Sequence, residues 1–190
     1  MTDLWILLAV GALIALIVLA IYNGIIARMN SVERAWANVI TEERQKNKII
    51  PTLEGLVVQY KLHESSVLKD ITALRSALQE LSSDNVDTAQ LAAAEAKSSA
   101  LMKGLNVVVE NYPDLKASEV FNNLMREVAE QQENVGAAIR IFNQNVEDFN
   151  NGIEQFPNSL INSMLNKKDK LNVFRDEEAE SGFDYKPNFS

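Results

Sequence analysis

The most pronounced pattern in the sequence is an uncharged apolar run from Leu4 to Ile26. As an α-helix this run would be about 34 Å long, enough to cross a hydrocarbon core of about 30 Å. Trp5 and Tyr22 lie near its two ends, where amphipathic aromatic side chains favour the lipid headgroups. No basic residue precedes the run and no small-residue cleavage site follows it, so a retained anchor is favoured over a secretory signal.

The charges beside the run predict its orientation. Only Asp3 lies on the N-terminal side, whereas Arg28 and Arg34 open a series of basic residues on the other side. The positive-inside rule therefore places the C-terminal body in the cytoplasm and the short N-terminal tail outside.

Beyond the anchor, an apolar stripe advances by alternating steps of four and three residues, which is typical of long helices packed at shallow angles. Because its phase continues across Pro51, one long kinked helix is favoured, although Pro51 would also suit the first turn of a new helix. The stripe runs through Ile25, Met29, Val32, Trp36, Val39, Glu43, Lys46, Ile50, Leu53, Val57, Tyr60, Glu64, Val67, Ile71, Leu74, Leu78 and Leu81.

Two further helices are predicted. Asp87 is a suitable N-cap for a helix over 88–112, which Pro113 ends. Ser118 caps a third helix of about 36 residues that stops at Pro157 and runs antiparallel along most of the first. Apolar residues at heptad spacing, including the aromatic series Phe142, Phe149 and Phe156, are expected in its core face.

These elements predict an all-α fold in which a transmembrane helix continues into an elongated antiparallel up-and-down bundle. We divide the chain into a tail and anchor over 1–26, a helical bundle over 27–165, and a polar, loosely ordered tail over 166–190. The tail holds four aromatic residues that could dock on the bundle: Phe174, Phe183, Tyr185 and Phe189.

Composition narrows the chemistry. The 190 residues include no Cys and one His, which removes thiolate catalysis, iron–sulfur clusters and sulfur-ligated zinc. The net charge of −8 and the lack of a dense basic block argue against nucleic-acid binding. His63 and Glu64 form the sole His–carboxylate pair, and a polar pair on a helix is a better interpretation than acid–base catalysis. We therefore predict no enzyme activity, catalytic residue, metal or cofactor.

Four polar residues interrupt the predicted core stripes and are candidates for interaction or register. Glu43, Lys46 and Glu64 lie on the first stripe and Gln132 on the third helix. At the charged positions we favour a stripe that is hydrated or turned towards solvent. The alternative is an interhelical charge contact that fixes the register of the helices. Gln132 has the same two interpretations.

The third helix is unusually rich in Asn. Asn143 and Asn150 are seven residues apart and share a face, with Arg140 nearby. Their spacing fits either a solvated flank or a polar ladder against another helix, and does not separate the two. Trp36, on the first stripe, is expected in the core with a partner for its indole N–H.

Several fragments in this order resemble the LemA family, over about residues 20–160. They are Tyr22-Asn23; Arg28 and Asn30 before Ala35-Trp36; Ile50-Pro51 with Leu53; Tyr60 with His63-Glu64; Arg75; Tyr112-Pro113-Asp114-Leu115-Lys116-Ala117 with Phe121; Glu133-Asn134; Arg140; Phe142-Asn143; Val146; Phe149-Asn150; and Phe156-Pro157. Phe142 and Phe149 stand where the family usually has Tyr, so a role for a phenolic hydroxyl there is in doubt.

The resemblance implies a bacterial, single-pass inner-membrane protein with a cytoplasmic helical bundle and no established enzymatic activity. We predict a membrane-anchored structural or interaction protein whose partners are the lipid bilayer, further copies of itself or other membrane proteins. The family's genomic association with membrane-bound heat-shock metalloproteases suggests the alternative, an accessory or regulatory partner of such a quality-control protease.

Overall fold

The computed structural model describes residues 2–60 and 65–175, and every regular element within those residues is a helix. A 3-10 turn at Lys46–Lys48 and a π-helical turn at Asn162–Asn166 accompany the α-helices. The α-helices are α1 (Thr2–Gln45), α2 (Ile50–Gln59), α3 (Ser65–Glu80), α4 (Thr88–Asn111), α5 (Pro113–Lys116), α6 (Glu119–Glu154) and α7 (Asn158–Ile161).

Helix α1 begins with the predicted anchor and continues well beyond it. Its apolar part is the one helical stretch in the described residues that is long and apolar enough to cross a membrane, and none of its most apolar 18 residues is buried within the protein. A core helix of a soluble protein would be mostly covered, so this exposure fits a helix that faces lipid.

The described residues fall into two compact units, of which the first combines α1 up to Ala35 with Ile141–Val173. Gly152 allows close approach here, because a Cβ atom at this position would lie 2.7 Å from Cδ of Arg28. The aromatic rings of Phe142 and Phe149 are fully buried, as predicted. Apolar side chains on both helices form the core: Ile25, Val32, Phe142, Val146 and Phe149.

The second unit contains Trp36–Arg140 together with Phe174. Its helices alternate in direction, since Glu54 of α2 pairs with Arg75 of α3 at 2.6 Å and Gln132 of α6 bonds to Glu95 of α4. Short connections join antiparallel neighbours, as in up-and-down bundles. The all-α, bundle-forming fold that the sequence predicts is therefore confirmed.

The structure decides the role of Pro51. Helix α1 ends at Gln45, and α2 starts at Ile50 with Pro51 in its first turn, where its missing N–H costs no hydrogen bond. The backbone of the intervening Ile49 stays in the right-handed helical region, with φ −80° and ψ −30°. The stripe therefore keeps its phase although a new helix begins.

The prediction of a single helix up to Leu81 is wrong. Helix α2 ends at Gln59 and α3 runs back beside it, so that the indole N–H of Trp36 donates to the carbonyl of Ser82 at 3.0 Å. The guanidinium of Arg44 likewise donates to the carbonyl of Leu81. A stripe reports only which face is buried, and two successive antiparallel helices around one core can share its phase.

The other helix boundaries follow the local signals. The Asp87 carboxylate accepts hydrogen bonds from the N–H groups of Ala89 and Gln90, both at 3.0 Å, and so caps α4. Ser118 accepts from the N–H of Phe121 at 3.4 Å at the start of α6.

One expectation near the C-terminus is wrong. Phe156 lies outside the core with 84% of its surface exposed, because α6 ends at Glu154 and the chain turns at Pro157. The segment that follows Asn166 is held on the helices as far as it is described. Asn150 exchanges two hydrogen bonds with the backbone of Leu171, at 2.9 and 3.0 Å, and Phe174 is buried. Phe183, Tyr185 and Phe189 lie outside the described residues.

Candidate functional site in a buried polar network

Two charged residues meet where α1 ends. Glu43 lies in the last turn of α1 and Lys46 opens the following 3-10 turn, so they are three residues apart on one face. The Lys46 Nζ atom is 2.8 Å from Oε2 of Glu43 and donates a hydrogen bond to its Oε1 at 3.0 Å.

The contact extends to two further helices. Nζ of Lys46 also donates to Oε1 of Glu95 on α4 at 3.2 Å, and the amide of Gln132 on α6 donates to Oε2 of Glu95 at 2.8 Å. We call these four residues the Lys46 network. It connects three separate helical segments of the second unit by charge-assisted hydrogen bonds.

The network is closed to solvent at its centre. Glu43 is fully buried and Lys46 is 5% exposed, whereas Gln132 is exposed at the rim. The favoured expectation, a hydrated or outward-turned stripe, is wrong at Glu43 and Lys46. The structure shows the interhelical charge contact instead. A buried ammonium between two carboxylates is tolerable because each desolvated charge has a partner.

Burial changes the acidity of Glu43. Desolvation raises the pKa of its carboxyl from 4.5 to about 7; the nearby Glu95 carboxylate adds to this rise, and the Lys46 ammonium opposes it. Glu43 can therefore gain or lose a proton close to neutral pH.

A cavity of about 220 Å³ lies beside the outer end of the network. Glu95 and Gln132 form its polar wall, and Val135, Ile139 and Phe174 its apolar wall. The volume is sufficient for several water molecules, and the polar wall offers them partners.

The carboxylates of the site are engaged by Lys46. Within residues 2–60 and 65–175, no three His, Cys, Asp or Glu side chains come close enough to hold a metal ion. Lys46 already occupies the position between two carboxylates that a cation would take. What the arrangement can do is fix the register of helices and respond to a proton.

The predicted anchor residues and Trp36 all belong to α1. Leu4, Trp5, Tyr22 and Ile26 all lie on α1, with Leu4 and Trp5 exposed. Trp36 is buried in the core with a satisfied N–H, as predicted. His63 and Glu64 lie outside the described residues.

One residue of the Asn-rich face of α6, Asn150, binds a segment far along the chain. Arg140 is exposed and Asn143 is half-buried, whereas Asn150 is bound to the backbone of Leu171. Asn150 thus binds a later segment of its own chain. The spacing of residues along α6 could not predict this partner, because Leu171 lies outside that helix.

Sequence reasoning missed Glu95. One feature of the sequence could have indicated it: Glu95 is a single acidic residue among five alanines. It lies next to the buried residues Leu91, Ala94 and Ser98. A lone carboxylate beside a core face is a candidate partner for an unpaired Lys46 on another helix.

An apolar N-terminal helix that continues into a helical body, with one buried Lys–Glu pair in its core, is the arrangement of a membrane-anchored helical bundle protein. The chain belongs to the LemA family, whose family model matches residues 35–184, well over half of its length. A protein named LemA from Metamycoplasma hominis is 28% identical over 153 residues, which is 80% of this chain and 66% of that relative. The chain thus spans slightly less than two thirds of the relative's length.

The comparison confirms the family that the ordered sequence fragments suggested. LemA proteins are membrane-associated, which agrees with the exposed apolar part of α1. The family is not a known enzyme family.

Proposed function

We propose that this protein is a non-enzymatic, membrane-anchored interaction protein whose helical body contacts further copies of itself or other membrane proteins. The observation that carries the proposal is a set of large apolar side chains that the second unit leaves exposed at one end.

This apolar end is defined by Val58, Leu68, Val107 and Val120, which are exposed by 76%, 46%, 61% and 52%. They lie near the end of α2, the start of α3, the end of α4 and the start of α6. Because successive helices are antiparallel, all four positions belong to the same end of the unit. Grouped apolar exposure of this kind marks protein contacts more often than isolated surface residues do.

The anchor supports a role at the membrane. Helix α1 runs without interruption from the apolar N-terminal part to Gln45, and the same helix supplies Trp36 and Glu43 to the core. We place the protein in the bacterial inner membrane, with its body in the cytoplasm, because the basic residues follow the span.

Photo-crosslinking in native membranes tests the proposal. A photoreactive amino acid in place of Val107 should give discrete protein adducts, identified by mass spectrometry as a second copy or a specific membrane protein. The matched control is Gln79, which is exposed near the opposite end of α3. Equal labelling from Val107 and Gln79, or adducts with lipid alone, would contradict an interaction role for this end.

The same experiment separates the alternative. A membrane-bound metalloprotease as the main adduct would favour the accessory role in quality control over self-assembly. The proposal that the protein is not an enzyme has a separate test. A double variant, His63→Ala with Glu64→Ala, should fully complement a deletion strain. Loss of complementation by a protein that still folds and inserts would revive an enzymatic function.

A further inference from the structure

We propose that residues 156–166, which we call the C-terminal turn, form a second membrane contact that inserts apolar side chains into the bilayer interface beside the end of the span. The inference rests on the proposed anchoring of α1 in the bilayer. The exposed side chains of this turn contact lipid.

The first reason is position along α1. The Nδ2 of Asn166 donates to the carbonyl of Tyr22 at 3.4 Å, within the predicted span. Residues 2–17 are exposed throughout, but Val18, Tyr22 and Gly24 are partly covered and Ile25 is fully buried. Val18 is about 12 Å from Ile26 along a helix, so the first unit covers one face of the last two turns of the span.

The second reason is the character of the surface. The C-terminal turn exposes 84% of Phe156, 52% of Leu160, 64% of Met164 and 52% of Leu165. Such a dense apolar group is unfavourable in water but suited to the boundary between headgroups and acyl chains. The hydrogen bond from Asn166 to Tyr22 places the end of this turn beside the span.

The third reason is that several polar groups in and beside the turn form hydrogen bonds within the chain. The amide of Asn158 donates to the carbonyl of Gly152 at 2.9 Å, and Ser163 donates to that of Leu160 at 2.8 Å. Asn162 and Lys168 exchange two bonds, at 2.9 and 3.0 Å. Polar groups near lipid require such internal partners, because water is scarce there.

The fourth reason is charge. Lys167 and Lys168 follow the turn directly and are exposed, and Arg28 lies on the neighbouring face of α1 beside Gly152. Long basic side chains at this level reach anionic headgroups while their stems stay in the apolar layer. One exposed acid, Asp169, lies among them.

The absence of Cys in the sequence permits a direct test with single introduced cysteines. Full-length Leu160→Cys and Met164→Cys are labelled with the environment-sensitive dye NBD and reconstituted into vesicles of phosphatidylcholine with a minor share of phosphatidylglycerol. Spin-labelled lipid should remove most of the NBD emission at both positions, and aqueous iodide should remove little.

The controls lie in the same unit. Ile141→Cys, 55% exposed on α6 and about 20 Å along that helix from Glu154, should show the reverse pattern. Leu8→Cys, within the span, should be quenched by lipid. If Leu8 is not quenched, the anchor itself fails and the proposed function with it. If Leu8 is quenched but Leu160 and Met164 behave like Ile141, only the second contact is overturned.

A further variant tests the energetics of insertion. Met164→Glu in the Leu160→Cys background should shift the label from lipid quenching towards iodide quenching, because a carboxylate is unfavourable in the bilayer. Ile141→Glu in the same background should leave it unchanged. An unchanged signal with Met164→Glu, or disulfide crosslinking between copies through Leu160→Cys, would overturn the proposal and assign the surface to protein.

Discussion

The buried carboxyl of Glu43 gives the protein a pH dependence that Glu43→Gln should remove. The wild-type side chain is fully buried beside Lys46, and burial raises its pKa from 4.5 to about 7. Gln is close to Glu in shape, carries no charge and can still accept a hydrogen bond from Lys46. Lys46 retains Glu95 as its charged partner at 3.2 Å.

The direction of this pH dependence follows from the protonation of Glu43 in the folded and unfolded states. Below pH 4.5 the carboxyl is protonated in the folded and the unfolded chain alike, so the raised pKa has no effect. Between pH 4.5 and about 7 only the folded state holds the proton, and stability falls as the pH rises. Since one pKa unit corresponds to about 1.4 kcal/mol, the full loss is about 3 kcal/mol by neutral pH.

The assay compares wild type and Glu43→Gln by urea unfolding in detergent at a series of pH values between 4.5 and 8. Trp36 is a natural reporter because it is buried in the same unit, and Trp5→Phe in both proteins removes the other indole. The difference in free energy of unfolding between the two proteins cancels all titrations that they share. It should move in favour of Glu43→Gln by about 3 kcal/mol across this range.

Two results would refute this reasoning. A difference that is independent of pH would mean that Glu43 titrates alike in the folded and unfolded chains. A difference that moves in favour of the wild type as the pH rises would mean that the ammonium of Lys46, 2.8 Å away, outweighs the desolvation of the carboxylate.

Three further substitutions each remove specific hydrogen bonds and should lower global or local stability. Trp36→Phe removes the hydrogen bond to the carbonyl of Ser82 and should lower the free energy of unfolding by about 1–3 kcal/mol, measured by urea unfolding with circular dichroism. Asp87→Ala removes the cap of α4 and should cost about 1 kcal/mol in the same assay. Asn150→Ala breaks both bonds to Leu171 and should accelerate amide hydrogen exchange over residues 167–173 in particular.

Each of these has a nearby control. Trp5→Phe alters an indole that is 70% exposed on the anchor, Asp84→Ala an exposed acid in the loop before the cap, and Asn151→Ala the exposed neighbour of Asn150. Trp5→Phe and Asp84→Ala should stay within about 0.5 kcal/mol of the wild type, and Asn151→Ala should leave hydrogen exchange over residues 167–173 unchanged. A control as damaging as its partner would show that the assigned contact does not carry the effect.

Local signals predicted the helices well because they act over a few residues. The carboxylate of Asp87 needs only the next two or three N–H groups to cap α4, and Pro113 disfavours helical geometry in the residue before it. The reversal before α3 escaped prediction because an apolar stripe carries no information about chain direction. Phe156 shared the spacing of the core aromatics, but the helix ended before it.

The candidate site was predicted in part. Glu43, Lys46 and Gln132 attracted attention as polar residues on apolar stripes, yet the stripes could not reveal that all three converge on Glu95. That convergence depends on which helices are neighbours and on their register, and both are set by packing between residues far apart in the chain.

By itself, the sequence determined the elements whose causes are local: an apolar run long enough for a bilayer, helices with their caps and breakers, and the faces that avoid water. Only the tertiary structure decided where the chain turns back, which carboxylate meets Lys46, and that the C-terminal turn lies beside Tyr22. The physical reason is that hydrophobic burial is non-directional, whereas a hydrogen bond or ion pair exists only after packing has brought its two atoms within about 3 Å.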